Sequence, residues 1–461
     1  MTTHVLSAWN PEDRAFWEDS GKSIAQRNLW ISIPALFLAF SVWMVWSVVV
    51  VNLPAIGFHF TTDQLFWLAA LPGLSGATLR IFYSFAIPIF GGRRFTAIST
   101  ALLLIPAIGM GRAVQDPATS YATFLSLALL CGFGGGNFAS SMANISFFYP
   151  KAQKGTALGL NAGLGNLGVS GMQFVVPLVI TSSVFGAMGG APQAWMSHGL
   201  HKEMWLQNAA YIWVPFIALS SLAAWFGMND IASAKATFAD QAVIFKRTHN
   251  WLMCWLYTAT FGSFIGYSAG LPLLTKHEFP HINPITYAFL GPLVGAAARP
   301  IGGWLADKMG GAQVTFWNFI VMSVAVLGVL HFLPGQDSAG DFGGFLGMFL
   351  VLFATTGIGN GSTFRMIPVI FHAQHHRHAE GKSRAHLDQC ARHAAKESAA
   401  VLGFSSAIAA YGAFFIPKAF GTSIALTGHP QAALYAFLAF YVSCILVTWW
   451  FYSRKNAAMP C

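Results

Sequence analysis

The sequence has 461 residues, of which 55% are hydrophobic and only 9% are charged, and its mean hydropathy is +0.56. A soluble domain carries about 25% charged residues, so the composition excludes an ordinary soluble protein and predicts a polytopic membrane protein. The formal charge of +9 would suit a nucleic-acid-binding protein, but most Lys and Arg residues fall in alternate connections between apolar segments, as in cytoplasmic loops. We therefore expect contact with the lipid bilayer and none with nucleic acid.

A polar segment of mixed charge, residues 1–29, opens the chain and is unlike a signal peptide, so we expect the first span to be retained. A span needs about twenty mainly apolar residues. Twelve such segments follow, and they predict an all-α membrane protein with twelve transmembrane helices. The predicted spans are 30–54, 65–90, 95–112, 121–149, 156–182, 208–227, 251–275, 285–306, 313–333, 343–371, 398–425 and 431–452. The basic connections follow even-numbered spans, and both termini lie on the same side as these connections, which predicts that both termini are cytoplasmic.

The second and eighth spans share one pattern. Arg80 and Arg299 lie within them, a Gly precedes each Arg by four residues, and a Gly-Gly pair begins eleven residues after each. Weaker repeats pair 134–138 with 359–364 and 157–168 with 401–412. Parallel six-span repeats characterise the major facilitator fold, with two pseudo-symmetric halves and a substrate site near the bilayer midplane. The predicted parts are an N-terminal cytoplasmic segment at 1–29, six-helix halves at 30–228 and 251–452, a cytoplasmic linker at 229–250 and a cytoplasmic tail at 453–461.

The two span arginines predict an anion site. A charged side chain at a span centre costs about 2.5–3.5 kcal/mol on insertion scales and usually faces a bundle interior or a water-filled cavity. Arg299 is close enough to its span end to snorkel to the interface, whereas Arg80 is not. All sixteen Asp and Glu residues lie in tails, loops or span ends, so a mobile anion is needed to neutralise the arginines. The same lack of span carboxylates disfavours an intrinsic proton symporter, an enzyme or a bound cofactor.

Two further regions have alternative interpretations. Arg365, a third span arginine, lies near the cytoplasmic end of its span and is either a gate residue or an interfacial anchor. The His-rich stretch 372–394 is either a metal site or a solvated cytoplasmic loop; because it has no tetrahedral ligand spacing, we expect a loop and no metal. The small residues Gly155, Gly159 and Gly163 favour close helix packing and also suit helices that slide.

The segment GGNFASSMANISFFYPKAQKGTALGLNAGLGNLGVS, residues 135–170, resembles the nitrate signature of the nitrate/nitrite porter family of the major facilitator superfamily. The resemblance covers nearly the whole chain and is greatest to bacterial members that exchange nitrate for nitrite. It implies that the protein is a multi-pass monomer of the bacterial cytoplasmic (inner) membrane, with a role in nitrate assimilation or nitrate respiration. Positions 410, 411 and 413 depart from the family's glycine pattern, and Arg365 stands where an uncharged residue is expected.

The resemblance also implies the site residues. Arg80 and Arg299 would clasp the anion, and the other implied contacts are the hydrogen-bond donors Asn166 and Tyr257, the flanking rings Phe138 and Phe261, and Ser406. The candidate gate residues are Arg365, Gly163 and Gly165.

Charge suggests how transport would be coupled. Two guanidiniums about 8 Å apart repel by about 2 kcal/mol at an effective dielectric constant near 20, and a monovalent anion would replace that repulsion with charge-assisted contacts. A carrier that closes only when loaded is an exchanger, so we expect nitrate import in exchange for nitrite. The alternatives are nitrate–proton symport, a carrier of another small anion such as formate or phosphate, and a nitrate-binding sensor without turnover. A sensor often carries a sizeable output domain, for which this sequence has no room.

Overall fold

The computed structural model describes residues 4–197, 200–232, 243–335, 338–377, 384–457 and 459–461. Helices dominate these residues, as the composition predicts, and the strands form two small two-stranded sheets. In one sheet β1 (Val5–Leu6) runs parallel to β4 (Asp230–Ile231); in the other, β2 (Gln193–Ser197) and β3 (Leu200–Met204) form an antiparallel hairpin. The hairpin occupies the connection between the fifth and sixth predicted spans.

The first of two compact units comprises Met1–Ala236 and Ser268–Phe289. A π-helical segment, Trp17–Gly21, joins its first two helices, and short 3₁₀ turns occur at Pro54–Ile56, Gly186–Gly189 and Pro284–Thr286. The helices of unit 1 are α1 (Arg14–Phe16), α2 (Lys22–Met44), α3 (Trp46–Asn52), α4 (Thr62–Tyr83), α5 (Ala86–Phe90), α6 (Gly92–Ala101), α7 (Leu104–Ala113), α8 (Tyr121–Phe148), α9 (Lys151–Val179), α10 (Asn208–Tyr211) and α11 (Val214–Gly227).

Unit 2 comprises Thr237–Tyr267 and Leu290–Cys461. It contains a 3₁₀ turn at Val243–Lys246 and π-helical segments at Thr258–Gly262 and Trp449–Ser453. Its helices are α12 (Thr248–Tyr257), the first part of α13 (Ser263–Glu278), α14 (Leu290–Met309), α15 (Gly311–Phe332), α16 (Phe342–Arg377), α17 (Arg384–Ala410), α18 (Gly412–Thr427) and α19 (Gln431–Thr448). The sequence assigns 268–289 to the C-terminal half, whereas these residues cluster with unit 1, so the exact division into halves stays a prediction.

Ten helical stretches among the described residues are long and apolar enough to cross a membrane. They coincide with ten of the twelve predicted spans. The other two, 251–275 and 285–306, are helical but fall outside this set. The first contains several Tyr, Thr, Ser and Gly residues that lower its mean hydropathy. The helix that covers the second, α14, contains Arg299, Asp307 and Lys308. The multi-pass helical architecture is therefore confirmed, while the number twelve and the cytoplasmic orientation of both termini stay predictions.

The expectation of a loop at 372–394 is wrong for the residues that the structure describes. Helix α16 continues to Arg377 and α17 begins at Arg384, while residues 378–383 lie outside the described ranges. The stretch is rich in Ala, Gln, Arg and His, contains no Pro and has Gly381 as its single Gly. Because these residues permit a helix and strong helix breakers are otherwise missing, polarity alone was a poor guide to a loop.

Helix α4, which carries Arg80, begins at a capping box. The Thr61 hydroxyl accepts a hydrogen bond from the Gln64 backbone N–H at 3.2 Å, and the Thr61 N–H donates to the Gln64 side-chain oxygen at 2.9 Å. These bonds satisfy backbone donors that the first helical turn would otherwise leave unpaired, so the sequence fixes where this helix starts.

A buried ion pair joins several segments at one end of unit 1. Asp230 accepts hydrogen bonds from the backbone N–H of Arg93 at 2.8 Å and from its Nε at 3.3 Å, and Arg93 Nη1 donates to the Trp225 carbonyl at 2.8 Å. The two charged side chains are only 9% and 11% exposed. The N–H of Asp230 also donates to the His4 carbonyl at 2.8 Å. Asp230 thereby links the N-terminal segment, the start of α6 and the end of α11.

We predict that Asp230→Asn strongly destabilises the protein, because removing one partner of a buried ion pair leaves the other charge uncompensated, at a cost of about 3–5 kcal/mol. The matched control is Asp307→Asn, since Asp307 pairs with Arg365 through side chains that are 57% and 48% exposed, and such pairs contribute about 0–1 kcal/mol. Thermal unfolding of both variants in detergent measures the difference. Equal melting temperatures would contradict a structural role for the Arg93–Asp230 pair.

Candidate anion site

Arg80, on α4, is wholly buried, with 0% of its surface exposed. Its Nε donates to the Gly135 carbonyl oxygen at 3.0 Å. The guanidinium carbon lies 4.7 Å from the centre of the Phe138 ring and 5.3 Å from that of Trp43. Because the faces of aromatic rings attract cations, the two rings offset part of the cost of burying this charge, and they do so without neutralising it.

Gly76, one helical turn before Arg80, makes this arrangement possible. A Cβ at this position would lie 2.5 Å from Nε1 of Trp43 and 3.1 Å from the Cα of Gly135, so a larger residue would force α4 away from the indole and from α8. The same Nε1 donates to the Pro72 carbonyl at 2.6 Å, which fixes the Trp43 ring. The Gly that precedes Arg80 in the sequence pattern therefore has a packing role.

Arg299 of unit 2 has a similar environment. Its guanidinium carbon lies 5.4 Å from the centre of the Phe364 ring on α16, and its Nη1 is buried with no hydrogen-bond partner among the described residues. Gly295 occupies the position that Gly76 has in unit 1, because a Cβ there would lie 2.8 Å from the Phe264 ring and 3.0 Å from the Phe353 carbonyl oxygen. Each unit thus places an Arg against a Phe of a neighbouring helix, one turn after a closely packed Gly.

Phe364 also connects Arg299 to two of the predicted contact residues. Its ring centre is 5.9 Å from that of Tyr257, which stacks on Phe261 at 5.6 Å with an interplanar angle of 14°. Tyr257 ends α12, and Phe261 lies in the π-helical segment Thr258–Gly262; such segments are frequent at functional sites. The structure therefore groups Arg299, Tyr257 and Phe261 in unit 2, as it groups Arg80 and Phe138 in unit 1.

The other predicted residues have varied surroundings. Asn166 is buried in α9, and its side-chain oxygen has no hydrogen-bond partner among the described residues. The Ser406 hydroxyl donates to the Gly403 carbonyl at 2.8 Å within α17. A Cβ on Gly165 would lie 2.6 Å from the Leu36 side chain, whereas one on Gly163 would meet open space. Helix packing thus accounts for Gly165, and the role of Gly163 stays a prediction.

Arg365 follows Phe364 but makes a different contact. Its Nε donates to a carboxylate oxygen of Asp307, and both side chains are about half exposed. This ion pair agrees with the interpretation of Arg365 as an interfacial anchor. The alternative interpretation, a gate residue, stays a prediction.

The sequence analysis did not identify two residues that contact the arginines, Phe364 and Trp43. Phe364 ends the repeat 359–364 that pairs with 134–138, so alignment of the two repeats on Phe138 would have identified it. Trp43 has no corresponding signal, because its contact with Arg80 depends on the close packing at Gly76 and Gly135.

A second group of ionisable residues lies beside the His-rich stretch in unit 2. Arg247 forms hydrogen bonds of 2.8 and 3.0 Å with the Glu397 carboxylate, and His375 Nε2 lies 3.2 Å from the same carboxylate. The hydrogen bond with Glu397 raises the pKa of Arg247. The described residues contain no cluster of three or more potential metal ligands, but His378 lies outside them, so the prediction that this stretch binds no metal remains untested.

Comparison with known proteins places these observations in a family. Residues 35–384 match the model of the Major Facilitator Superfamily. The chain is 54% identical to the nitrate/nitrite transporter NarU of Salmonella typhimurium, across 98% of this chain and 97% of that protein. The NarU protein of Escherichia coli gives the same identity and coverage.

A relative with lower sequence identity also belongs to the nitrate/nitrite transporters. The probable nitrate/nitrite antiporter NarK2 of Thermus thermophilus is 41% identical across 99% of this chain and 98% of the relative. The resemblance inferred from residues 135–170 is thus confirmed over the whole length, and it is a resemblance to transporters, not enzymes. The chain belongs to the nitrate/nitrite porter family of the major facilitator superfamily.

Proposed function

We propose that this protein transports nitrate and nitrite across the membrane, importing nitrate in exchange for nitrite by alternating access. Transport of these two anions follows from membership of the family and from the names of relatives that match almost the whole chain. The structural observation that carries the proposal is the buried Arg80, which is held by a carbonyl oxygen and two aromatic rings. Arg299 on Phe364 is its counterpart in unit 2.

A small monovalent anion suits these surroundings. Cation–π contacts of up to about 2 kcal/mol each offset the cost of about 2.5–3.5 kcal/mol for a charge at a span centre without cancelling the charge itself. An anion adds further stabilisation through charge-assisted hydrogen bonds to the guanidinium. Apolar rings discriminate against anions that lose more hydration free energy on burial, as phosphate and sulfate do, so nitrate and nitrite are favoured.

The exchange mode rests on charge. Each unit contains a buried or partly buried guanidinium, so conformations that enclose these positive charges away from water are costly. A bound anion lowers the cost of enclosing these charges. The change between outward-facing and inward-facing conformations therefore requires a carrier with an anion bound. The sequence has no Asp or Glu at a span centre, which leaves no carboxylate to carry a coupled proton through the membrane.

Roles for the remaining residues follow the family resemblance. Asn166 and Tyr257 donate hydrogen bonds to the anion, Phe138 and Phe261 flank it, and Ser406 is a further contact. The gate includes Gly163, where a helix face meets open space, together with Gly165 and Arg365. The protein works as a monomer in a bacterial inner membrane, without a cofactor, and serves nitrate assimilation or nitrate respiration.

We predict that purified protein in liposomes takes up labelled nitrate when the vesicles contain nitrite and not when they are empty. A clamped pH gradient should leave the rate unchanged, because the charge argument needs a counter-anion and no proton. Uptake into empty vesicles that is driven by the gradient would replace exchange with nitrate–proton symport. Nitrate binding without uptake in any vesicle would indicate a sensor.

We predict that Arg80→Lys and Arg299→Lys each weaken nitrate binding by at least about 10-fold. A Lys ammonium cannot present the planar fork that binds an oxyanion through two N–H groups, and a lost hydrogen bond between charged partners costs about 1.5–3 kcal/mol. Arg112→Lys is the matched control, since Arg112 is exposed in the last turn of α7 and has no assigned role, and it should bind nitrate normally. Isothermal titration in detergent measures all three affinities, and wild-type binding by either of the first two variants would contradict the assigned site.

We predict that Phe364→Leu weakens nitrate binding about two- to fivefold. An aromatic face that orients a partly exposed cation contributes about 0.5–1 kcal/mol, and Leu keeps the apolar bulk while removing that face. Phe404→Leu is the control, because the Phe404 ring packs against Phe245 and Trp251. A loss of affinity that is equal in both variants would show that Phe364 acts through general packing only.

A further inference from the structure

A small cavity inside unit 1 is lined by residues of α2, α6 and α8. Every residue that lines it is buried. The polar residues that matter here are Ser32 of α2, Thr96, Ser99 and Thr100 of α6, and Asn137 and Ser140 of α8. The cavity thus lies next to the turn of α8 that carries Phe138, the ring nearest to the Arg80 guanidinium.

Each of the three helices contributes one lining residue that carries an unpaired polar atom. Ser32 Oγ, Thr100 Oγ1 and Asn137 Oδ1 are all buried and have no hydrogen-bond partner among the described residues. Buried polar groups in proteins are almost always hydrogen-bonded to protein or to ordered water. Three exceptions on three helices around one cavity therefore indicate a shared ligand.

Size and charge identify the chemical class of that ligand. The cavity offers the centre of a water-sized molecule a volume of about 10 Å³, which is close to the minimum needed for one water. Its lining contains hydroxyls, one carboxamide and apolar groups, but no charged side chain. Two hydroxyls and one carboxamide supply the two to four partners that a buried water needs. We propose that this cavity is a binding site for a single ordered water that joins α2, α6 and α8.

The water also has a positioning role for the anion site, and this part of the inference rests on the proposed function. Asn137 directly precedes Phe138, whose ring lies 4.7 Å from the Arg80 guanidinium carbon. Ser141, also in the lining, accepts a hydrogen bond from Asn161 Nδ2 of α9 at 2.9 Å. A water held by Ser32, Thr100 and Asn137 fixes α8 against α2 and α6, and so fixes the ring that orients Arg80.

The substitution Thr100→Val tests the water site, because a wet and a dry cavity predict changes of opposite sign. If water is bound, the methyl group removes one of its partners and the melting temperature falls by about 3 °C. If the cavity is dry, the same change removes a buried unpaired hydroxyl and the melting temperature stays level or rises. Thr448→Val is the matched control, since the Thr448 hydroxyl is also buried and unpaired and does not line this cavity.

Three further measurements complete the test. Thr100→Ser keeps a hydroxyl and should retain the wild-type melting temperature. Ser32→Ala and Thr100→Val should be non-additive when combined, because both act on one water. A melting temperature that rises with NaCl but not with KCl, and only while Thr100 is present, would overturn the water in favour of a cation. A Thr100→Val variant that behaves like Thr448→Val would also overturn the proposal.

Nitrate binding separates the water site from the proposed function. We expect Thr100→Val to weaken nitrate binding about fivefold and Thr100→Ser to restore it, whereas Thr448→Val should bind as the wild type does. Wild-type affinity in Thr100→Val would remove the positioning role. If the wild-type protein itself failed to bind nitrate, the proposed function would fail, while the melting temperatures would still decide whether the cavity holds water.

Discussion

The constraint on which the structure depends is a positive charge buried in a helical bundle. Arg80 is fully buried, and the sequence supplies no carboxylate from a span centre. Its stabilisation comes from the Gly135 carbonyl and from the faces of Phe138 and Trp43. A carboxylate in their place would form an ion pair and compete with any incoming anion. Aromatic faces attract the cation and leave its net charge unchanged, as the proposed anion site requires.

This requirement explains the glycine pattern around both arginines. A ring centre can lie about 5 Å from a guanidinium only if the helices that carry the two groups are in near contact. Gly76 in unit 1 and Gly295 in unit 2 permit that contact, because a Cβ at either position would collide with neighbouring aromatic or backbone atoms. The glycines that mark the repeat in the sequence therefore allow the close helix packing that brings an aromatic ring to each Arg.

The sequence predicted the family through the resemblance of residues 135–170 and the helical architecture through its composition. Repeat spacing singled out Arg80 and Arg299, whose role in an anion site stays a prediction. The sequence did not predict Trp43 as a neighbour of Arg80, since that contact depends on packing between α2 and α4. The prediction of a loop at 372–394 was wrong for the described residues, because it rested on their hydrophilicity. Helix-breaking residues are almost missing from this stretch, and helices cover 372–377 and 384–394. The cavity beside Asn137 was equally invisible, because Ser and Thr residues on three helices carry no sequence pattern that shows which hydroxyls remain unpaired.

The two arginines are not equivalent, and the difference suits a carrier that must release what it binds. Arg80 is fully buried against two rings, whereas Arg299 is partly exposed, contacts Phe364 and leaves Nη1 unpaired. Electrostatic interactions are stronger where water is excluded, so Arg80 is expected to contribute more to anion affinity. Arg299 is partly exposed, so in the proposed site water would replace an anion on its guanidinium at a smaller cost. Translocation needs binding that is favourable enough for uptake and weak enough for release, and unequal burial of two like charges meets both conditions.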